Sequence, residues 1–461
     1  MRVVLIGFRG TGKTEVGRLL ARLTGLPFHD TDAIIEERSG LTIHEIFTRD
    51  GEEGFRLRER EVIARLPAGP CVISTGGGVV LDPGNVAALR RGSTVFLLEA
   101  DEAAIERRIA GSTRPPLTTH PFRQEIRELL DIRRPFYTAA ADFCIDTTTK
   151  SPNEVTLAIR HLLDSGTAPA SARAGLVRFL AGSGIPDTEV REVVALSAPG
   201  TWDPRTRLYA IVGNPAVQSK SPGLFNRLFA QYGLRCHYLR FQDPSLSRIL
   251  RLADELGLRG ISVTIPFKQT IIPALTDIED HGRAIGAVNT VVMCGTRKSG
   301  YNTDWLGIRD PLADHSGERA VVLGAGGAAA AAVYALLSLN MEVTILNRTV
   351  ETARLLGERF GCAAGPLTAF DQAAPDVVVN ATPVGMAPES RSPLQKHQLR
   401  PSMTIFDLVY TPPETPLLRF ARNTGCRTIP GTEMFVRQAA AQFRHFTGIA
   451  APLDLVRSMM P

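Results

Sequence analysis

Aromatic residues make up only 6% of the 461-residue chain, and two of them are tryptophan. A dense positive charge is missing too: Lys plus Arg is 52 and Asp plus Glu is 47, a net charge of +5. Nucleic acid demands a concentrated basic stripe, so this mild excess fits small anionic substrates better. Cysteine is scarce, and its six copies (Cys71, Cys144, Cys236, Cys294, Cys362 and Cys426) form no C-x-x-C pair. Neither a zinc knuckle nor a disulfide scaffold is supported, and these residues are expected to pack as small apolar side chains in a reducing compartment. Histidines show no H-E-x-x-H spacing, and no structural metal is expected. Long hydrophobic runs are absent. Val3–Ile6 is too short for a signal-peptide core. The uncharged stretch Ala320–Met341 is interrupted by Gly324, Gly326 and Gly327, which suits a strand–turn–helix unit better than a membrane span. A cytoplasmic chain without membrane or nucleic-acid partners is expected.

What is present is ordinary globular composition, 44% hydrophobic and 21% charged, which excludes a largely disordered or fibrous chain. At roughly 100–200 residues per domain the length holds two to four domains. Short β runs alternate with helical patterns up to about Asp164, which predicts a parallel sheet covered on both faces. Strands are expected at Arg2–Ile6, Cys71–Thr75, Thr94–Leu98 and Asp142–Asp146. A helix follows the first strand, its apolar face at Val16, Leu19, Leu20 and Leu23. Another closes the unit at Glu154–Leu163, with Asn153 as its cap. Small residues and one proline at Ser165–Gly175 read as a linker, followed by a short amphipathic stretch within Leu176–Leu196. A second alternating region runs from Arg207 to the end, with strands at Leu208–Val212, Gly260–Thr264, Val288–Met293, Ala320–Leu323, Glu342–Leu346, Asp376–Asn380 and Thr404–Val409. The expected division is 1–164, a linker at 165–206, a substrate lobe at 207–310, a dinucleotide lobe at 311–430, and a helical segment at 431–461 packing back on the substrate lobe.

Gly7-Phe8-Arg9-Gly10-Thr11-Gly12-Lys13-Thr14 matches G-x-x-x-x-G-K-[ST] between a strand and a helix. Such a loop wraps phosphates with backbone N–H groups from Gly10, Thr11 and Gly12. Lys13 neutralises the β- and γ-phosphates, and Thr14 can hold Mg²⁺. Asp30-Thr31-Asp32 follows, and on an extended backbone its two carboxylates point the same way. One could serve the metal while the other takes a proton from an acceptor hydroxyl; alone, the triplet reads rather as a solvated turn. Arg56, Arg114 and Arg133 offer guanidinium forks for carboxylate or phosphate, although each taken singly reads as a surface charge.

Together these residues resemble the shikimate kinase family over nearly all of Met1–Leu163. The matching features are the phosphate loop, Asp30-Thr31-Asp32, Gly51-Glu52 through Phe55-Arg56, Gly76-Gly77-Gly78, Arg114-Pro115 and Arg133-x-Pro135-Phe136-Tyr137, in order. The resemblance implies ATP and Mg²⁺, with Asp30 on the metal through water and Asp32 as the base on the acceptor hydroxyl. It also implies Arg56 and Arg133 on the shikimate carboxylate, Gly77 and Gly78 behind the ring, and Arg114 on a lid reaching the transferred phosphoryl group.

Gly324-Ala325-Gly326-Gly327-Ala328-Ala329 fits the dinucleotide turn G-x-G-x-x-A after a strand and before an Ala-rich helix. The next strand ends in Asn347-Arg348-Thr349. An Arg in place of an acidic residue there favours the 2′-phosphate of NADPH. Upstream, Ser219 and Ser221 share a loop, and Thr264, Lys268, Asn289 and Asp304 bring hydroxyl, ammonium, amide and carboxylate groups. Reducing a ketone needs a proton donor for the developing alkoxide, and Lys268 held by Asp304 can supply it.

This region resembles shikimate dehydrogenase from about Arg207 to the C-terminus. The resemblance implies that Ser219 and Ser221 bind carboxylate, that Lys268 and Asp304 are the catalytic pair among Thr264 and Asn289, and that Gln438 touches substrate. It also places the loop Asn380 to Met386 near the nicotinamide. Four positions depart from the family's usual pattern: Ser262 for Asn, Phe225 for His, Ala330 for Arg, and Thr352 for Lys or Arg, although Arg354 is close by. The expected fold is therefore α/β: a P-loop kinase domain with a parallel sheet, then a two-lobed dehydrogenase-like unit with a Rossmann lobe. The expected chemistry is NADPH-dependent reduction of 3-dehydroshikimate to shikimate and MgATP-dependent phosphorylation of shikimate. Alternatives are a dehydrogenase-like module that only senses shikimate and dinucleotide, and a dehydrogenase preferring quinate with NAD. Oligomeric state is not legible.

Overall fold

A computed structural model of the chain describes residues 1–110, 122–165, 206–388 and 391–461. Arg114, most of the linker and the amphipathic stretch at 176–196 lie outside the described residues. Among the described residues no helix is long and apolar enough to cross a membrane.

Three sheets organise the molecule. The first joins β1 (Arg2–Ile6), β2 (Phe28–Asp30), β3 (Cys71–Ser74), β4 (Ser93–Glu99) and β5 (Phe143–Asp146) in the order β2-β3-β1-β4-β5. Every pairing is parallel. All residues of β1 are buried, which suits a central strand covered on both faces. Helix Lys13–Thr24 packs through Val16, Gly17, Leu20 and Ala21. A Cβ on Gly17 would lie 2.5 Å from the Phe28 ring, so glycine permits the close helix–strand contact. Leu23 is 51% exposed, which moves the real apolar stripe away from the expected one. The helix Pro152–Ser165 is capped by Ser151, not Asn153: Ser151 accepts from Glu154 N, and Glu154 accepts from Ser151 N.

The second sheet contains β6 (Arg207–Gly213), β7 (Cys236–Gln242), β8 (Gly260–Val263), β9 (Asp277–Ile278), β10 (Thr290–Cys294) and β11 (Arg297–Tyr301), ordered β7-β6-β8-β10-β11-β9. It is mixed, because β10 runs antiparallel to both neighbours. The expected strand at Val288 starts later, since Val288 N donates to Lys268 O instead of to the ladder. The third sheet is β12 (Arg319–Leu323), β13 (Glu342–Asn347), β14 (Ala363–Pro366), β15 (Val377–Asn380), β16 (Thr404–Asp407) and β17 (Arg427–Ile429). Its order, β14-β13-β12-β15-β16-β17, is that of a doubly wound dinucleotide fold. The Ala-rich helix Gly327–Leu337 is buried almost all round, which explains its uniform apolar composition. Helix Gly431–Thr447 returns to the second sheet, where Phe443 and Phe446 pack with Tyr209, Phe225 and Phe229.

The first sheet's unit meets the second through helix Phe122–Ala140. Arg207 donates to Thr138 O and Ala139 O at that helix's C-terminal end, where a cation complements the exposed carbonyls. A Cβ on Gly448 would lie 2.8 Å from Pro135 O, so the end of Gly431–Thr447 abuts the same helix. Cys144 on β5 and Cys294 on β10 form a disulfide with Cα atoms 5.2 Å apart. This corrects the expectation that all six cysteines are separate thiols: the two lie 150 residues apart in sequence, and only the docking of two sheets brings them together. Cys71, Cys236, Cys362 and Cys426 are free.

Candidate active sites

The first cleft lies at the carboxyl end of β1, between β3 and β4. Gly10 and Gly12 take left-handed φ values of 80° and 89°, which turn the loop into the N-terminus of helix Lys13–Thr24. A Cβ on Gly7 would stand 2.2 Å from Leu98 O, so the loop passes too close to β4 for any side chain. Backbone N–H groups at a helix N-terminus favour an anion. Lys13 Nζ donates to Phe8 O at 2.8 Å, which folds the ammonium back over the loop. Thr14 Oγ1 donates to Asp30 Oδ2 at 2.7 Å. The cradle therefore fits a nucleotide's phosphates with a divalent cation: glycine-lined backbone, one ammonium, one hydroxyl and one carboxylate.

Asp30 and Asp32 do not share an extended face, as the sequence suggested. Asp30 ends β2 and caps helix Thr31–Ser39, accepting from the backbone N–H groups of Asp32 and Ala33. Asp32 already belongs to that helix, and its carboxylate lies against the glycine run: a Cβ on Gly76 would come within 2.7 Å of Asp32 Oδ1. On the same run a Cβ on Gly78 would fall 2.1 Å from Arg56 Nη2. Arg133 Nη1 reaches Gly77 O at 3.5 Å, and the Tyr137 hydroxyl donates to the same carbonyl. Both guanidinium groups are thus turned inward: the Arg56 side chain is 17% exposed, and Arg133 as a residue is buried. Arg56 also holds the fully buried Glu59 at 2.8 Å. Burial pushes the Glu59 carboxyl up, against the pull of Arg56 and Arg133. Burial also raises the Tyr137 phenol to about 12, keeping it a donor. Neither Glu59 nor Tyr137 was singled out for a role from sequence; Glu59 carries a weak signal, since it lies one helical turn after Arg56.

The second cleft lies between the second and third sheets. Lys268 Nζ donates to Asp304 Oδ2 at 2.6 Å, and Asn289 Nδ2 donates to Asp304 Oδ1 at 2.7 Å. Asn302 Oδ1 accepts from Asp304 N, so the carboxylate starts a short helix in a fixed orientation. The dinucleotide turn is adjacent, because a Cβ on Gly327 would lie 3.2 Å from Lys268 Cβ. On its other side a Cβ on Gly324 would lie 3.2 Å from Ala381 O and Thr382 Cγ2, so the turn also meets the Asn380–Met386 loop. Gly326 faces open space, with nothing within 4 Å of a Cβ there. The turn, the open face above Gly326 and the helix N-terminus behind it fit a dinucleotide pyrophosphate. Arg348 at the end of β13 is exposed and has no ion-pair partner among the described residues. Asn347 donates to Thr349 O and to Thr352 Oγ1, so Thr352 orders this corner in place of a second cation.

Ser219 donates to Ser221 Oγ at 3.2 Å. Burial pushes the Tyr410 phenol up, against the pull of the Ser219 hydroxyl. Thr264 stands at the end of β8, its Cγ2 2.4 Å from where a Cβ on Gly213 would be. Gln438 is buried and donates to Phe435 O within its own helix.

Residues 9–164 match the family model of shikimate kinase. Residues 211–291 match the shikimate dehydrogenase substrate-binding domain, 308–409 shikimate/quinate 5-dehydrogenase, and 431–458 the shikimate 5-dehydrogenase C-terminal domain. The NADP(+) shikimate dehydrogenase of Pyrococcus furiosus is 38% identical over 258 residues, covering 55% of this chain and 94% of that one. The chain belongs to the shikimate dehydrogenase family. Its N-terminal unit is a shikimate kinase domain.

Shikimate 5-dehydrogenase from Thermus thermophilus, solved with NADP(H) and shikimate, superposes with a TM-score of 0.52 at 32% identity. That match covers 55% of this chain and 98% of the solved one. The chloroplastic bifunctional 3-dehydroquinate dehydratase/shikimate dehydrogenase of Arabidopsis thaliana is 36% identical over 283 residues, covering 56% of this chain and 46% of that protein. In the dehydrogenase unit, sequence reasoning missed Gln442, which donates Nε2 to Asn289 O, and Tyr238, which donates to Ser262 Oγ. Gln442 follows Gln438 by one helical turn on the same face, which is a readable signal. Tyr238 gave none, because strand β7 was not anticipated.

Proposed function

We propose that this chain catalyses two consecutive steps: NADPH-dependent reduction of 3-dehydroshikimate to shikimate, then MgATP-dependent phosphorylation of shikimate at its 3-hydroxyl. One observation carries this most directly. Lys268 and Asp304 form a 2.6 Å pair directly against the dinucleotide turn at Gly327.

In the dehydrogenase cleft, bound NADPH supplies the hydride. Ser219 and Ser221 hold the substrate carboxylate, while Thr264, Asn289 and Gln438 fix the ring hydroxyls. Lys268 gives a proton to the ketone oxygen as negative charge develops there, and Asp304 keeps the ammonium aimed. Gly324, Gly326, Gly327 and Ala328 hold the pyrophosphate. Asn347, Arg348 and Thr349 take the adenosine end, and Met386 lies beside the nicotinamide. Arg348 selects the 2′-phosphate.

In the kinase cleft, MgATP supplies the phosphoryl group. Gly10, Thr11, Gly12 and Lys13 grip its phosphates, and Thr14 and Asp30 hold the metal, partly through water. Arg56 and Arg133 clamp the shikimate carboxylate against Gly77 and Gly78, and Asp32 takes the proton of the attacking hydroxyl. Arg114, which lies outside the described residues, neutralises the charge of the transferred phosphoryl group. Here positioning and charge neutralisation do most of the catalysis.

The departures that motivate a sensing module are absorbed by packing. Phe225 is fully buried and stacks on Tyr238, and Ala330 is buried in the helix behind the turn. Neither touches the Lys268–Asp304 pair, and we keep the enzymatic assignment. Separate assays test it: NADP⁺ reduction with shikimate for one cleft, and ADP release with shikimate and MgATP for the other. Failure of either removes that half of the proposal.

A further inference from the structure

Glu279 stands where β9 gives way to the helix Asp280–Ile285. Its N–H still donates to Gly300 O of β11 at 3.0 Å, but its own carbonyl has turned into the helix and accepts from Arg283 N at 2.9 Å. Asn302 N, just past the end of β11, is met by the Glu279 side chain, whose Oε1 accepts it at 3.2 Å. The carboxylate thus takes the place of the backbone carbonyl that the turn removes. The contact is closely packed, since a Cβ on Gly282 would lie 3.7 Å from Asn302 N and 3.8 Å from Glu279 Cγ.

Asn302 in turn sets Asp304. It is buried, its Oδ1 accepts from Asp304 N at 3.0 Å, and its Nδ2 donates to Ala287 O at 2.9 Å. Asp304 holds Lys268 at 2.6 Å. Glu279 therefore fixes the backbone of the residue whose side chain fixes Asp304.

We propose that Glu279 is a positioning residue for the reduction step: its carboxylate anchors the Asn302–Asp304 turn and so keeps the Asp304 carboxylate on Lys268. This rests on the assignment of Lys268 and Asp304 as the catalytic pair.

A carboxylate accepts an N–H more strongly than a neutral carboxyl does, so the anchor follows the protonation of Glu279. Burial pushes that carboxyl up to about 7 against the pull of the Asn302 N–H, and Asp280 and Asp131 act in the same direction as burial. Neighbouring cations are engaged elsewhere: Arg283 donates to Ile278 O at 2.8 Å, and Arg297 and Arg134 approach Asp277 at 3.1 and 3.8 Å. His281 meets the Tyr334 hydroxyl and burial lowers it, while burial raises the Tyr301 phenol, so both are neutral near pH 7.

The test is the ratio of wild-type kcat to Glu279→Gln kcat for 3-dehydroshikimate reduction, followed from about pH 5.5 to about pH 8.5. The titration of Lys268 cancels in this ratio, because both proteins share it. Gln keeps an acceptor oxygen and removes the charge, so it copies the protonated state at every pH. The ratio should be near one at the acid end and rise through about pH 7 to about fivefold, the difference between a charged and a neutral acceptor. KM for NADPH and the kinase kcat should stay within about twofold. A ratio that does not change with pH reduces Glu279 to packing and overturns the proposal, as does a ratio that falls with pH or a loss confined to KM for NADPH. Should Glu279→Gln not fold, Asp280→Asn decides: removing a like charge should move the acid-side fall in kcat to lower pH, and an unmoved fall overturns the proposal. If wild type does not oxidise NADPH with 3-dehydroshikimate, the assignment of the Lys268–Asp304 pair fails and the proposal with it. Turnover with a flat ratio removes the proposal alone.

Discussion

Arg133 and Arg134 are consecutive residues of one helix and serve two different units. The Arg133 guanidinium reaches Gly77 O at 3.5 Å and lies 5.8 Å from the Phe8 ring centroid, inside the kinase cleft. Arg134 pairs with Glu99 of β4 at 3.2 Å and approaches Asp277 of the dehydrogenase sheet at 3.8 Å. Asp277 is held in turn by Arg297 at 3.1 Å. The helix that aims the substrate arginine of one cleft is therefore anchored on the unit that carries the other.

Arg134→Ala should leave Glu99 buried without its cation. Breaking such a pair from one side costs about 3–5 kcal/mol. Urea unfolding followed at 25 °C should show the loss, and kinase KM for shikimate should rise while dehydrogenase KM does not. Equal effects on both activities would argue that the helix serves general stability alone.

The two clefts share no described side chain, so their chemistry should separate cleanly. Lys13→Ala is expected to abolish ADP formation and leave NADPH oxidation at the wild-type rate. Lys268→Ala should do the reverse. Circular dichroism checks that both variants fold, and loss of both activities in either folded variant contradicts independent sites.

Much of the fold and of both clefts is legible in the sequence. The phosphate loop and the dinucleotide turn are legible because their chemistry is local: a strand, a glycine run and a helix start within about ten residues of one another. The Asp30–Asp32 triplet misled, because period-two reasoning assumes a continuing strand. Here Asp30 instead caps a helix that begins at Thr31. The Cys144–Cys294 bridge and the Arg134–Asp277 approach were invisible, since both depend on how two sheets dock. Tyr238 was lost with strand β7, whose continuous buried run from Tyr238 to Phe241 includes Arg240 and so gives no clean apolar pattern.

Arg348→Ala should weaken NADPH far more than NADH. One lost charge-assisted contact is worth about 1.5–3 kcal/mol, so KM for NADPH should rise roughly tenfold to a hundredfold. Steady-state kinetics with the two cofactors decides it, and parallel losses would contradict a 2′-phosphate contact.

Asp407 makes a pH prediction about stability. It is fully buried beside Asn380 and Thr415, and burial raises its carboxyl to about 6 even though three donors pull the other way. Its folded-state value lies above the unfolded one, so its contribution is fully present below about pH 4 and is lost as pH rises through about 6. The difference in unfolding free energy between wild type and Asp407→Asn should therefore shrink from pH 4 to pH 7, by about 3 kcal/mol at most. Denaturant melts across that range measure it, and a difference that grows with pH would reverse the sign and refute the burial argument.

The most direct measurement is a coupled reaction containing only the purified chain, 3-dehydroshikimate, NADPH and MgATP, with products resolved by mass. We expect shikimate 3-phosphate to accumulate, one ADP to appear for each NADPH consumed, and no ADP above background when NADPH is omitted. NADPH consumption that ends at shikimate, or ADP release that does not depend on NADPH, would contradict two clefts built for the same cyclic acid.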